Sequence, residues 1–199
     1  MQDTYRTIIS IYTEATPNPE TMKFVLNKML FAQNSVDFPD AESVNGASDL
    51  ADALFLLPFV KSVFIANNFV TIGKNPKDDW YEIIPSVKEL LKKYLSEEKS
   101  IVNAELVRER KIVQSPTLGA NETEIVKRIE ELLQKYVQPA VERDGGSIVF
   151  RGFDNGKVIL GMQGACSGCP SSQITLKAGI EGMMKRMIPE VTEVVAEAL

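Results

Sequence analysis

Apolar and polar positions along the chain switch several times between a period of two and a period near 3.6, the signatures of strand and helix. Residues 5–12 are β-branched and aromatic and predict a strand. Residues 13–20 hold Pro17 and Pro19 and predict a loop. A second strand is expected over 22–27, and Ser48 as the N-cap of a short helix over 49–57 that Pro58 ends. Strands over 61–65 and 69–73 flank Ala66-Asn67-Asn68, a hairpin signal because Asn tolerates positive φ. A helix over 79–95 follows, with Ile83, Val87, Leu90, Leu91 and Tyr94 on one face and Pro85 either starting or kinking it. The resulting order, β-β-α-β-β-α, is a self-contained α+β unit.

The period is lost over 99–120 and returns after it. Residues 105–111 are dense in charge and 115–119 have no pattern, so this stretch reads as a flexible linker. Asn121 with Glu124 resembles a capping box opening a second helix, whose apolar face is Ile125, Ile129, Leu132, Leu133 and Tyr136, and Asp144-Gly145-Gly146 ends it. Strands over 147–153 and 157–162 meet at Asp154-Asn155-Gly156. A helix after Pro170 puts Leu176, Ile180, Met183 and Met187 on one face; Pro189 ends it and a strand over 191–195 closes the chain. The fold class is α+β, as two small α+β domains over 1–98 and 121–199 joined by the 99–120 linker.

Composition narrows the function. Of 199 residues, 44% are hydrophobic and 25% charged, as in globular proteins, and the net charge of −5 argues against a nucleic-acid-binding surface. No apolar run reaches the roughly 20 residues that span a bilayer, so no membrane partner is expected. The N-terminal residues lack the pattern of a secretory or transit segment, and the expected location is cytoplasmic. The histidine count is zero, which removes His-based triads, His general bases and Cys–His zinc sites within one chain.

Both cysteines lie in Gly164-Ala165-Cys166-Ser167-Gly168-Cys169-Pro170-Ser171-Ser172, on a loop between a strand and a helix N-terminus. That position favours negative charge and predicts thiols of lowered pKa. Three readings compete. Two buried cysteines could pack as small hydrophobes, although flanking glycines and a proline serve no such purpose. A C-x-x-C pair could exchange disulfides within one subunit, although the thioredoxin-like setting is a strand-helix-strand unit with its first Cys just before the helix. Metal binding is the third. Two thiolates close neither a tetrahedral zinc site nor a four-cysteine cluster site, so a metal forces a dimer with the site at its interface. Such a shared site suits transfer of its cargo, because separating the subunits releases it.

Other candidates read more plainly. Asp144 could present a carboxylate to the site, with Gly145 or Gly146 supplying the positive φ that ends the helix. Arg143 and Lys177 could attract an anionic cargo, but solvated charge is the simpler reading. Met162, Met183, Met184, Met187 and Trp80 read as core, and Thr16-Pro17-Asn18-Pro19 as a recognition loop or a rigid turn.

The cysteine motif, with Glu142-Arg143-Asp144-Gly145-Gly146 before it and Thr175-Leu176-Lys177 and Gly179-Ile180-Glu181 after it, resembles the C-terminal domain of the NifU and Nfu proteins. Thr13-Glu14-Ala15-Thr16-Pro17-Asn18-Pro19, Lys23-Phe24, Leu54-Phe55 and the segment from Val63 to Thr71 resemble the Nfu N-terminal domain. The resemblance implies an iron–sulfur cluster carrier and not an enzyme. It implies that Cys166 and Cys169 of two subunits bind one [4Fe–4S] cluster, and that the homodimer receives it from an upstream scaffold and passes it to apo iron–sulfur proteins. The scaffold and ferredoxin-like domains of full-length NifU, with their extra cysteines, are missing, which favours receipt and delivery over assembly. A dithiol–disulfide oxidoreductase using Cys166 and Cys169 within one subunit is the alternative, and a zinc-holding dimer a third possibility. The N-terminal domain is expected to recognise partners.

Overall fold

A computed structural model describes residues 8–97, 99–107, 120–167 and 170–198. Cys169, the first residues of the strand expected over 5–12, and most of the expected linker lie outside the described residues.

The first half is a five-stranded antiparallel sheet with two helices on one face. Its elements are β1 (Ile11–Ala15), β2 (Thr21–Leu26), β3 (Phe31–Phe38), α1 (Asp49–Phe55), β4 (Val60–Asn67), β5 (Phe69–Lys74) and α2 (Trp80–Ser96), with strand order β1-β2-β5-β4-β3. Ser48 caps α1 by accepting the Ala51 N–H, and Asp79 caps α2 by accepting that of Tyr81. Asn67, at φ 42°, turns the β4–β5 hairpin as expected. Pro85 lies inside α2 and does not begin it. Trp80 half-packs on the core while its indole N–H donates to Pro19 O at 2.9 Å.

Three features differ from the sequence expectation. β3 carries the polar run Gln33-Asn34-Ser35 and a register shift between Phe31 and Ser35, which erase its alternation. β1 runs Ile11–Ala15, so residues placed in the proline loop are strand. Ile101, Val102, Leu106 and Val107, expected in the linker, pack on the first core; Ser48 Oγ donates to Ile101 O and Asn103 N–H to Ala47 O.

Strand alternation divides the first sheet into two faces. Phe24, Leu26, Val63, Ile65, Val70 and Ile72 face α1 and α2 in the main core. Val25, Phe64, Ala66 and Phe69 alternate with them and form a separate buried cluster on the outer face.

The second half comprises α3 (Ala120–Leu132), a π-helical stretch (Leu133–Val137), α4 (Gln138–Arg143), β6 (Gly146–Asp154), β7 (Lys157–Gly164), α5 (Pro170–Met187) and β8 (Glu193–Ala198). Asn121 lies within α3 and is not its cap. Pro139 explains the π stretch: it has no N–H for a carbonyl four residues back, and Gln138 N–H instead bonds Leu133 O, five back. β6 and β7 pair antiparallel through the Asn155-Gly156 turn (φ 48° and 82°), while β8 pairs parallel to β7 after the α5 crossover. The core holds Ile129, Leu160, Met162, Ile180, Met184 and Val194. Met187, expected on the apolar face of α5, is exposed, and Met184 is buried in its place.

Candidate functional site

β7 ends at Gly164 (φ +62°), and the chain folds through Ala165, Cys166 and Ser167 in a turn. Cys166 N–H bonds Gln163 O at 3.3 Å, and both the N–H and the hydroxyl of Ser167 donate to Gly164 O, at 3.1 and 2.8 Å. On the facing strand, the ladder pairs Gly146 with Gly164. The Cys166 sulfur packs on Gly146, where a Cβ would meet Sγ at 2.5 Å and Gln163 O at 2.7 Å. The second glycine of Asp144-Gly145-Gly146 thus makes room for the thiol, while Gly145, at φ +82°, ends α4 as expected.

Cys166 is free and only 6% exposed. Its pKa corrects the expectation of an acidified thiol: burial, then the negative charges of Asp144 and Asp37, push it up to about 12. Desolvation outweighs whatever the helix terminus contributes. Among the expected neighbours, Asp144 acts on this thiol through its charge. Arg143 offers its carbonyl to the first domain, and Lys177 sits near Glu181 on α5.

The structure also brings together residues that sequence reasoning did not connect. The second domain lies against the outer face of the first sheet with its cysteine loop in the contact. Lys23 Nζ donates to Arg143 O at 3.1 Å, Thr71 Oγ1 to Gly145 O at 2.7 Å, and Asn18 Nδ2 to Ser167 O at 3.3 Å. Gly164 N–H donates to the Asp37 carboxylate at 3.2 Å, and Asn67 Nδ2 to Glu142 at 3.1 Å. Thr16-Pro17-Asn18-Pro19 therefore contacts the second domain beside Cys166. Asp37 reaches solvent with part of the residue, but its carboxyl group is covered, and that burial raises its pKa to about 7 against the lowering effect of the Gly164 bond.

Among the described residues no group of three or more Cys, Asp or Glu side chains is placed to hold a metal ion, and no helix is long and apolar enough to cross a membrane.

Residues 11–98 match the family described as "Scaffold protein Nfu/NifU N terminal", and residues 129–195 match "NifU-like domain". The human "NFU1 iron-sulfur cluster scaffold homolog, mitochondrial" is 37% identical over 183 residues, 91% of this chain and 69% of that protein. The Arabidopsis thaliana "NifU-like protein 4, mitochondrial" is 36% identical over 194 residues, 96% of this chain and 67% of that protein. A Drosophila willistoni protein with the same name as the human one is 38% identical, and the chain spans 62% of its length. These names carry a mitochondrial placement that the cytoplasmic expectation does not share. Among solved structures, a NifU-like protein from Saccharomyces cerevisiae is 30% identical; the match covers 52% of this chain and 92% of that one, with a TM-score of 0.46.

Proposed function

The chain belongs to the Nfu/NifU scaffold protein family, and on that premise we propose that it is a non-enzymatic carrier of an iron–sulfur cluster. The cargo is a [4Fe–4S] cluster held by Cys166 and Cys169 of two subunits. The homodimer receives it from an upstream scaffold and delivers it to apo iron–sulfur proteins, without nucleic acid or membrane as partner, in the cytoplasm.

The observation that carries this reading is the shortage of ligands. The chain has two thiols and no histidine. A four-cysteine cluster therefore needs a second chain. The human and Drosophila relatives, named as iron–sulfur cluster scaffold homologs, support cluster handling, and Gly146 and Gly164 let backbone and thiol lie close at the loop. The high pKa of Cys166 argues against this residue as the attacking thiol of the oxidoreductase alternative. Metal ligation displaces the thiol proton, so a cluster site tolerates a high starting pKa.

The test is anaerobic reconstitution with iron and sulfide, followed by size-exclusion chromatography and iron analysis. A brown dimer with about four irons per two chains, lost in Cys166→Ala, is the expected result. A colourless monomer that turns over disulfides would establish the alternative.

A further inference from the structure

Cross-strand register lines up four side chains on the outer face of the first sheet. Lys23 on β2 pairs with Thr71 on β5, Thr71 with Phe64 on β4, and Phe64 with Asp37 on β3. Every member of this row meets the second domain next to the cysteine turn. Lys23 and Thr71 donate to the carbonyls of Arg143 and Gly145, and Asp37 accepts the Gly164 N–H. Phe64 packs under Gly164, where a Cβ would lie 2.8 Å from the ring Cγ. Asn18 adds a bond to Ser167 O from the neighbouring loop.

These four bonds all reach backbone atoms of the second domain. Each such bond exchanges for bonds to water at a net cost of about 1 kcal/mol, so any release of the contact needs a compensating gain elsewhere. The face is also one that needs a cover: Phe64 and Phe69, with Val25 and Ala66, are buried there, outside the main core. The backbone on both sides of Cys166 is thus held against the first domain, by Asp37 at Gly164 and by Asn18 at Ser167.

We infer that the row Lys23–Thr71–Phe64–Asp37 is a receptor for the paired turns at 143–145 and 164–167, Lys23 and Thr71 holding the first and Phe64 and Asp37 the second, and that the row gives up the cysteine turn when the cluster is loaded. This rests on the carrier reading and assigns the first domain a role at the cargo site itself. Receptor binding and cluster sharing use the same loop and exclude one another.

Hydrogen exchange read by mass spectrometry on the full chain tests this, with iron content measured on the same samples. In the empty protein the Gly164 segment is expected to be protected, and in the cluster-loaded dimer to lose that protection. Thr71→Val removes a bond to Gly145, not to Gly164, yet should speed exchange at Gly164 about fivefold, because one lost hydrogen bond weakens the whole contact. Thr71→Ser keeps the hydroxyl and should match the parent. Equal exchange of the Gly164 segment in the empty and iron-loaded proteins overturns the receptor and leaves the carrier standing. A chain that takes up no cluster overturns the carrier reading, and the receptor inference with it. The comparison of empty and loaded parent needs no variant to fold.

Discussion

The carboxylate of Asp37, on an edge strand of the first sheet, accepts the backbone N–H of Gly164, 127 positions later and two residues before Cys166, at 3.2 Å. This bond fixes how the loop enters its turn. It also places a buried acid near the thiol, where its charge adds to that of Asp144 in opposing ionisation of Cys166. Burial is the larger cause of that opposition, and the Asp37 contact adds to it.

The first prediction concerns that acid. Asp37 titrates near 7 in the fold, against 3.8 for the free side chain. The folded chain therefore keeps a proton that the unfolded chain releases, and stability at this residue is lost as pH rises from about 4 to about 7, roughly tenfold in the folding equilibrium per pH unit. Asn keeps an acceptor oxygen and cannot ionise. Denaturant melts at pH 5 and pH 8 should show Asp37→Asn gaining on the parent across this window. A parent–variant gap that does not change with pH would remove burial as the cause of the shift.

The sequence announced those parts of the fold that depend on local signals. Ser48 and Asp79 cap helices and Asn67 and Gly156 turn hairpins because their backbone chemistry acts within a few residues. The strand that carries Asp37 was not announced, since its polar run and register shift break the period of two on which strand recognition depends. The cysteine motif was legible as chemistry, but its burial was not. That burial comes from Gly146 on the facing strand; the loop around Cys166 is gripped by residues at 18, 37 and 64 and the adjoining turn at 143–145 by residues at 23 and 71, a set with no spacing in the sequence. The thiol is not acidic for the same reason: a helix terminus supplies one local field, and desolvation by residues distant in sequence outweighs it.

Lys23 makes the second prediction. It is buried, donates to Arg143 O at 3.1 Å, pairs with Glu14 at 3.1 Å and stands 4.6 Å from the centre of the Phe69 ring. Lys23→Met keeps the length and the apolar stem but leaves the Arg143 carbonyl without this donor. Leaving such a group unpaired costs about 1–3 kcal/mol. The loss should appear in denaturant unfolding of the empty protein. An unchanged midpoint would show that water replaces the amine at no cost.

Gly146 makes the third. A methyl group there meets Sγ of Cys166 at 2.5 Å, Gln163 O at 2.7 Å and Cys166 N at 3.0 Å. Two of these atoms are backbone, so no rotamer change of Cys166 relieves the overlap. Gly146→Ala should cost about 1–3 kcal/mol, as overpacking does, and should lower iron uptake per chain in reconstitution. Parent-like stability together with parent-like uptake would mean that the turn shifts freely.

The last prediction concerns the thiol. With its pKa at about 12, Cys166 in the empty chain exists almost wholly as the neutral thiol at pH 8, and only the thiolate attacks an alkylating agent. In a Cys169→Ser background, which leaves Cys166 as the only thiol, iodoacetamide should modify it at least about a hundredfold more slowly than a free cysteine of ordinary pKa near 8.5. The sign of the pH response separates causes. Below the pKa the thiolate fraction rises tenfold per pH unit, so the rate should still be climbing between pH 8 and pH 10, where an ordinary cysteine has levelled off. A rate that saturates near pH 8.5 would mean that the sulfur leaves Gly146 and reaches water in the empty protein. A slow rate that climbs throughout, and becomes ordinary in denaturant, would show that the fold itself keeps Cys166 protonated.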